Sequence, residues 1–193
     1  MIDIIRTVIS IALSYYYTAF MHVFANPAPY KYIVVFIVSF LICWAALFIL
    51  FGIICVIISL PVNINKEYAG TSRFYTTLFG LMLEFAGFLS GAKVIVNGRD
   101  KIPRKERFLF VSNHRSNYDP IIQCGEMKLQ PMAFISKRAN FRIPFIRRYM
   151  VRCRYIPLER KNMRNGAESV MKAARMISSG QSCIGVYPEG TRN

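Results

Sequence analysis

The chain has 193 residues and carries 25 Lys and Arg against 10 Asp and Glu, a formal net charge of +15. That length holds one ordinary domain and an appendage rather than two full domains. Its five cysteines, Cys43, Cys55, Cys124, Cys153 and Cys183, lie far apart in the chain; this excludes a disulfide framework and a Cys-ligated metal site, and fits a reduced, cytosol-facing domain.

The charge is unevenly placed. Residues 1–90 hold Arg6, Lys31, Lys66 and Arg73 against Asp3, Glu67 and Glu84, so the excess of cations lies almost wholly in residues 91–193. An apolar anchor followed by a strongly basic domain is expected, with a field that attracts anionic surfaces or anionic small molecules.

Residues 7–21 are uncharged and include Tyr15, Tyr16 and Tyr17, which suit a membrane interface. They read as a helix that spans the bilayer or lies along it, with His22 as an interfacial or packed residue. The stretch Asn26-Pro27-Ala28-Pro29 separates them from residues 33–60, an almost unbroken run of Ile, Val, Leu, Phe, Ala and Cys ended by Pro61. A helix of that length exceeds the roughly 30 Å hydrocarbon core, so a tilted transmembrane helix over about 33–60 is expected. Residues 71–89 are apolar and helix-permissive. Beyond them the texture changes to short strand-like runs at 93–96, 107–111, 155–158 and 183–187, with an apolar piece at 132–135 and helical stretches between. One helix is expected to start at Asp119-Pro120, with Asp119 as a possible N-cap, and another to cover 167–178 with Val170, Ala174 and Ile177 on one face and Gly180 as its stop. Strands alternating with helices predict an α/β domain with a mainly parallel sheet. The expected division is a membrane region over 1–65 and this domain over 66–193.

Chemistry concentrates in two places. In Asn113-His114-Arg115-Ser116-Asn117-Tyr118-Asp119, an imidazole and a carboxylate sit five residues apart after a strand-like run. Neither a regular helix nor a strand puts such positions on one face, but the turn between a strand and a helix does, and that is where the ligand crevice of an α/β sheet opens. There Asp119 would hold one ring nitrogen of His114 and leave the other as a general base; capping by Asp119, with His114 an ordinary turn residue, is the plainer reading. Tyr187-Pro188-Glu189-Gly190-Thr191-Arg192 repeats the design, with a carboxylate and a guanidinium on a turn after an apolar run.

Together these motifs resemble the glycerolipid acyltransferase family, whose commonest members are the 1-acylglycerol-3-phosphate acyltransferases. His114 and Asp119 match its Asn-His-x4-Asp motif, and Glu189, Gly190, Thr191 and Arg192 its Pro-Glu-Gly-Thr-Arg motif, with Tyr187 where Phe is more usual. Ile143-Pro144-Phe145 and the run from Tyr155 to Arg160 are similar to its intermediate motif. The resemblance implies transfer of a fatty acyl group from coenzyme A or acyl carrier protein to the free hydroxyl of lysophosphatidate, giving phosphatidate in phospholipid synthesis, with no cofactor and no metal. His114 would take the hydroxyl proton, Asp119 would hold the imidazole, and Arg160 and Arg192 would bind the phosphate. Glu189 would bind the glycerol hydroxyl or fix an arginine, Gly190 would allow a tight turn, and Thr191 would add a donor. A direct transfer is expected, in preference to an acyl-enzyme on Cys124, Ser112 or Ser116. Arg115 and Lys137 would attract anionic substrate or simply be solvated. Membrane lipids, lysophosphatidate and the acyl donor are the implied partners, at the cell membrane with the catalytic domain on the cytoplasmic side.

The cluster Arg138, Arg142, Arg147, Arg148, Arg152 and Arg154, interleaved with Phe141, Phe145, Tyr149 and Tyr155, reads as a membrane-facing basic surface rather than a nucleic-acid site. The family usually continues with further strands, a fourth motif and a helical tail, so the resemblance also implies that the C-terminal part of the usual fold is missing. Related lysophospholipid or glycerol-3-phosphate acyltransferases, and a non-catalytic protein that binds anionic lipid, are the alternatives.

Overall fold

The structure is a computed structural model that describes residues 2–25, 29–91, 93–128, 130–158 and 163–190. It divides into two compact units, Met1–Ile58 and Ser59–Asn193.

The first unit consists of two helices, α1 (Ile2–Ala25) and α2 (Pro29–Ser59). Both are long and apolar enough to cross a membrane, over Asp3–His22 and Tyr30–Ser59. The α2 helix is apolar all round, and Ile33, Ile37, Leu41, Ile49, Ile53 and Ile57 are all exposed; a helix with no polar face that is not buried in protein calls for lipid around it. The one cation of α1, Arg6, is buried, paired with Asp3 at 2.9 Å and laid over the ring of Trp44 at 4.2 Å. Ser10, Ser14 and Thr18, one turn apart above it, each return their hydroxyl to the carbonyl four residues back, so the polar stripe of α1 is satisfied within the helix. His22 stacks on Tyr32 with ring centroids 4.9 Å apart, the packed role expected for it.

The second unit is an α/β domain. Its four strands are β1 (Leu109–Val111), β2 (Met132–Lys137), β3 (Ile156–Leu158) and β4 (Cys183–Val186), all parallel in the order β1-β4-β2-β3. Alternation along the strands sends residues to opposite faces of the sheet. Met132, Phe134 and Cys183 face one way and join Cys124 and Met127 of α4 (Asp119–Glu126 and the turn after it), while Ala133, Ile156 and Ile184 face the other and meet Ala173 and Met176 of α6 (Met163–Ser178). Helices therefore cover both faces, as the sequence predicts.

The helix α3 (Arg73–Leu89) crosses α4 at two glycines. A Cβ on Gly80 would stand 2.4 Å from the Cβ of Lys128, and one on Gly125 would stand 3.2 Å from the Cα of Glu84. Lys128 and Glu84 close the contact with an ion pair of 2.7 Å. The remaining helix, α5 (Pro144–Arg152), buries Tyr149 against Phe79 of α3, the rings stacked 5.5 Å apart.

Four expectations change. Residues 93–96 form no strand, and Val94, Ile95 and Val96 are exposed; a β-prone run becomes a strand only where it meets a partner, and these residues pair with none of the four described strands. Asp119 does not cap α4, since Tyr118 takes the cap position and no side chain caps the helix. The α6 helix starts at Met163 and buries Ala173 and Met176, leaving Val170 exposed, one residue out of register with the predicted face. Finally, half of the arginine cluster turns inward: Arg148 donates to the carbonyls of Leu60 and Val62, Arg152 to Gly70 and Arg154 to Ala69. Arg152 also lies over the ring of Tyr68 at 4.7 Å. These three cations hold residues 60–70 to the domain, so they are no part of an open basic surface.

Candidate active site

All four strands deliver residues to one end of the sheet, their C-terminal end, the place where α/β sheets bind ligands. His114 lies three residues beyond β1, Tyr187 and Glu189 follow β4, Asn140 follows β2, and Lys137 and Leu158 close β2 and β3. The two motifs are 75 residues apart in sequence but meet because β1 and β4 are neighbours, with Val111 beside Val186.

Asp119 is the hub of the turn. Its Oδ2 accepts the main-chain N–H groups of Arg115 and Ser116, each at 2.7 Å, and stands 3.2 Å from Nδ1 of His114. The carboxylate thus folds back onto the turn that carries the imidazole, which excludes the capping reading. Partial burial alone would raise its affinity for a proton, but the bonds from Ser116, His114 and Arg115 outweigh this and hold the carboxyl below the ordinary aspartate value. Ionised Asp119 therefore takes the Nδ1–H of His114 and leaves Nε2 free to accept a proton.

Glu189 reaches the same turn from the other side. The N–H of His114 donates to its Oε2 at 2.8 Å. Gly190 closes the turn below it with φ of +66° and an N–H bond to the carbonyl of Tyr187 at 3.1 Å, a left-handed conformation that suits glycine. Tyr187 stacks on His114 with centroids 4.5 Å apart. Arg160, Thr191 and Arg192 lie outside the described residues.

Beside the imidazole opens a cavity of about 450 Å³, lined among others by His114, Phe134, Ser136, Lys137, Asn140 and Gly190. Its floor is aromatic, since Phe134 packs between Tyr155 and Tyr187. Phe134 reaches that place because its neighbour on β4 is Gly185, where a Cβ would fall 2.2 Å from the Phe134 ring. One side of the cavity is polar and cationic and the other apolar, a lining suited to an amphiphile with an anionic head.

Among the described residues, none of Cys124, Cys153, Ser112 and Ser116 has a base beside it. Burial pushes the thiols of Cys124 and Cys153 up to about 12, and Cys124 contacts only the hydroxyl of Tyr155, at 3.0 Å, among the described polar groups. Ser112 is bonded to Gln123, and Ser116 to the N–H of Tyr118. Sequence reasoning missed Gln123, whose only signal is its position one turn into α4, and it offered no way to see that the partner of Glu189 is a main-chain amide.

The acyltransferase family model matches residues 93–193, and the chain belongs to that family. Among curated relatives it is similar to a 1-acyl-sn-glycerol-3-phosphate acyltransferase of Borreliella burgdorferi, 34% identical over 55% of this chain and 42% of that protein. It is also similar to a probable enzyme of the same name from Mycoplasma pneumoniae, 30% identical over 67% of this chain and 48% of that one. The chain therefore spans about half the length of the curated relatives it matches. The crystal structure of the 1-acyl-sn-glycerophosphate acyltransferase PlsC from Thermotoga maritima shares its fold, with a TM-score of 0.56 and 21% identity over 99% of this chain and 64% of that one.

Proposed function

We propose that this protein transfers a fatty acyl group from a thioester, on coenzyme A or acyl carrier protein, to the free hydroxyl of 1-acylglycerol-3-phosphate, and so makes phosphatidate. The observation that carries the reading is the contact of His114 Nδ1 with Asp119 at 3.2 Å beside a cavity that joins aromatic and cationic walls. The names of the relatives support the choice of acceptor.

The chemistry follows from the geometry. An alcohol is a weak nucleophile at neutral pH, so Nε2 of His114 takes its proton as the oxygen attacks the thioester carbonyl. Asp119 stabilises the imidazolium that forms. The tetrahedral intermediate then expels the thiolate, the carbon–sulfur bond breaks, and the imidazolium returns the proton to sulfur. Lys137 on the cavity wall, with Arg160 and Arg192, supplies cations for the acceptor's phosphate, a guanidinium offering it two parallel donors. Glu189 and Gly190 shape the turn that presents His114, and Thr191 adds a donor to the acceptor. The two apolar helices keep the enzyme at the cell membrane that holds its lipid substrate, with the domain on the cytoplasmic side.

Transfer of labelled acyl groups to lysophosphatidate by the detergent-solubilised chain tests the reading. Wild type is expected to be active and His114→Ala to lose about 10³-fold or more in rate, the usual scale for removal of a general base together with its positioning. A folded wild type without activity, or a His114→Ala variant that keeps it, would overturn the assignment in favour of a lipid-binding protein without catalysis.

A further inference from the structure

Among the described residues, the imidazole of His114 is held at its edge by one side-chain bond, Asp119 at 3.2 Å, which leaves rotation of the ring about that edge to be restrained by whatever meets its face. That neighbour is Tyr187, stacked at 4.5 Å with 29° between the planes. Behind it, Phe134 stacks at 6.3 Å and 21°. A phenyl ring would make both contacts equally well, so they leave the hydroxyl of Tyr187 unexplained.

The hydroxyl donates to Oε1 of Gln123 on α4, and Nε2 of Gln123 donates to Oγ of Ser112 at 2.9 Å, two residues before His114. This chain of bonds joins the exits of β4 and β1 through a helix that starts at Asp119 itself. With the hydroxyl of Ser112 donated to the carbonyl of Asn113 at 3.2 Å, its oxygen accepts from the amide nitrogen of Gln123, which leaves the amide oxygen for the phenol. The phenol is kept neutral because burial raises its pKa, so it remains a donor over the physiological range.

We propose that Tyr187 is a positioning residue for His114, its ring fixed by the Gln123–Ser112 relay so that the imidazole meets the acceptor hydroxyl in one orientation. The proposal rests on the acyltransferase reading for its effect on rate but not for its geometry. Misplacement of a catalytic group by about 1 Å costs on the order of 10²-fold, so a loosened ring shows in kcat rather than in binding.

Two measurements on the full chain separate the possibilities. The chain contains only two histidines, so in a His22→Asn background His114 gives the one labelled-histidine NMR signal. Its ring protons are expected upfield under the ring current of Tyr187, unchanged in position but broadened in Tyr187→Phe and Gln123→Leu, and shifted back in Tyr187→Leu. In the transfer assay, Tyr187→Phe and Gln123→Leu are each expected to lower kcat about tenfold while KM for lysophosphatidate stays within about twofold, and the double variant to be no slower than Gln123→Leu alone, because both remove the Tyr187–Gln123 bond. An absent ring-current shift in wild type, full kcat in Tyr187→Leu, additive losses in the double variant, or a change confined to KM would each overturn the proposal. An inactive wild type that still shows the shift and its broadening would sink the acyltransferase reading and leave the positioning role intact.

Discussion

Asp119 shows how one carboxylate can be read two ways until its partners are known. Its three bonds all point back to residues 114–116, and their net effect is a carboxyl that stays ionised below the ordinary aspartate value. Because the folded pKa is the lower one, the contribution to stability is fully present above the unfolded value of 3.8 and is lost as the pH falls through the folded value. The stability gap between wild type and Asp119→Asn, followed by thermal unfolding, should therefore be flat from pH 8 to about 5 and close only below about pH 4. The same substitution should lower acyl transfer by about 10² to 10⁴-fold at neutral pH, since an amide does not fix the imidazole tautomer as a carboxylate does. A gap that closes between pH 6 and 7 would place the controlling group elsewhere. The sequence made the pair visible but left capping and catalysis level, because an Asp-Pro pair at a helix start serves both. Glu189 was less legible still: a side chain that bonds a main-chain amide leaves no mark on the type of residue it touches.

Among the elements, the α3–α4 crossing sets where α4 begins its approach to the sheet, and hence where Asp119 sits. Gly80 has no room for a methyl group, whereas Gly87 in the same helix has nothing within 4 Å of a Cβ. Gly80→Ala should cost about 1–3 kcal/mol through overpacking, while Gly87→Ala should be neutral or stabilising by up to about 1 kcal/mol through helix propensity. Parallel thermal melts check both, and equal effects would deny the close contact. The end of α5 shows the reverse situation. Arg154 occupies a left-handed position with φ of +60°, where the N–H groups of Arg154 and Tyr155 return to Val151 and Met150 in the manner of a glycine-capped helix. A non-glycine residue there costs about 1–2 kcal/mol, and the bonds of its guanidinium to Ala69 and Gln181 offset that cost. Element boundaries were readable where period and punctuation agreed, as at β4 and α3. They failed at residues 93–96 and on the face of α6, where the outcome depends on a partner surface rather than on the local pattern.

For the molecule as a whole, the segment after α2 is bound to the α/β domain by the cations that composition suggested would face lipid. Arg148 and Arg152 each donate to main-chain carbonyls of residues 60–70. Removing both, as Arg148→Ala with Arg152→Ala, should speed amide exchange at Val62 and Lys66 by about tenfold or more, at about 1.5–3 kcal/mol per charged bond, while β2 and β4 stay protected. Unchanged exchange at those amides would mean that Arg148 and Arg152 do not hold the segment.

By itself the sequence determined the apolar helices, the basic α/β domain and the pairing of His114 with Asp119 as a candidate, because hydropathy, period and residue type are local properties that survive without coordinates. Only the tertiary structure decided that β1 lies beside β4, that the carboxylate of Glu189 reaches the amide of His114, and that Tyr187 covers the imidazole face. Those facts depend on strand order and register, which bring together residues some 75 positions apart, and no local pattern encodes which distant partner will fill a given contact.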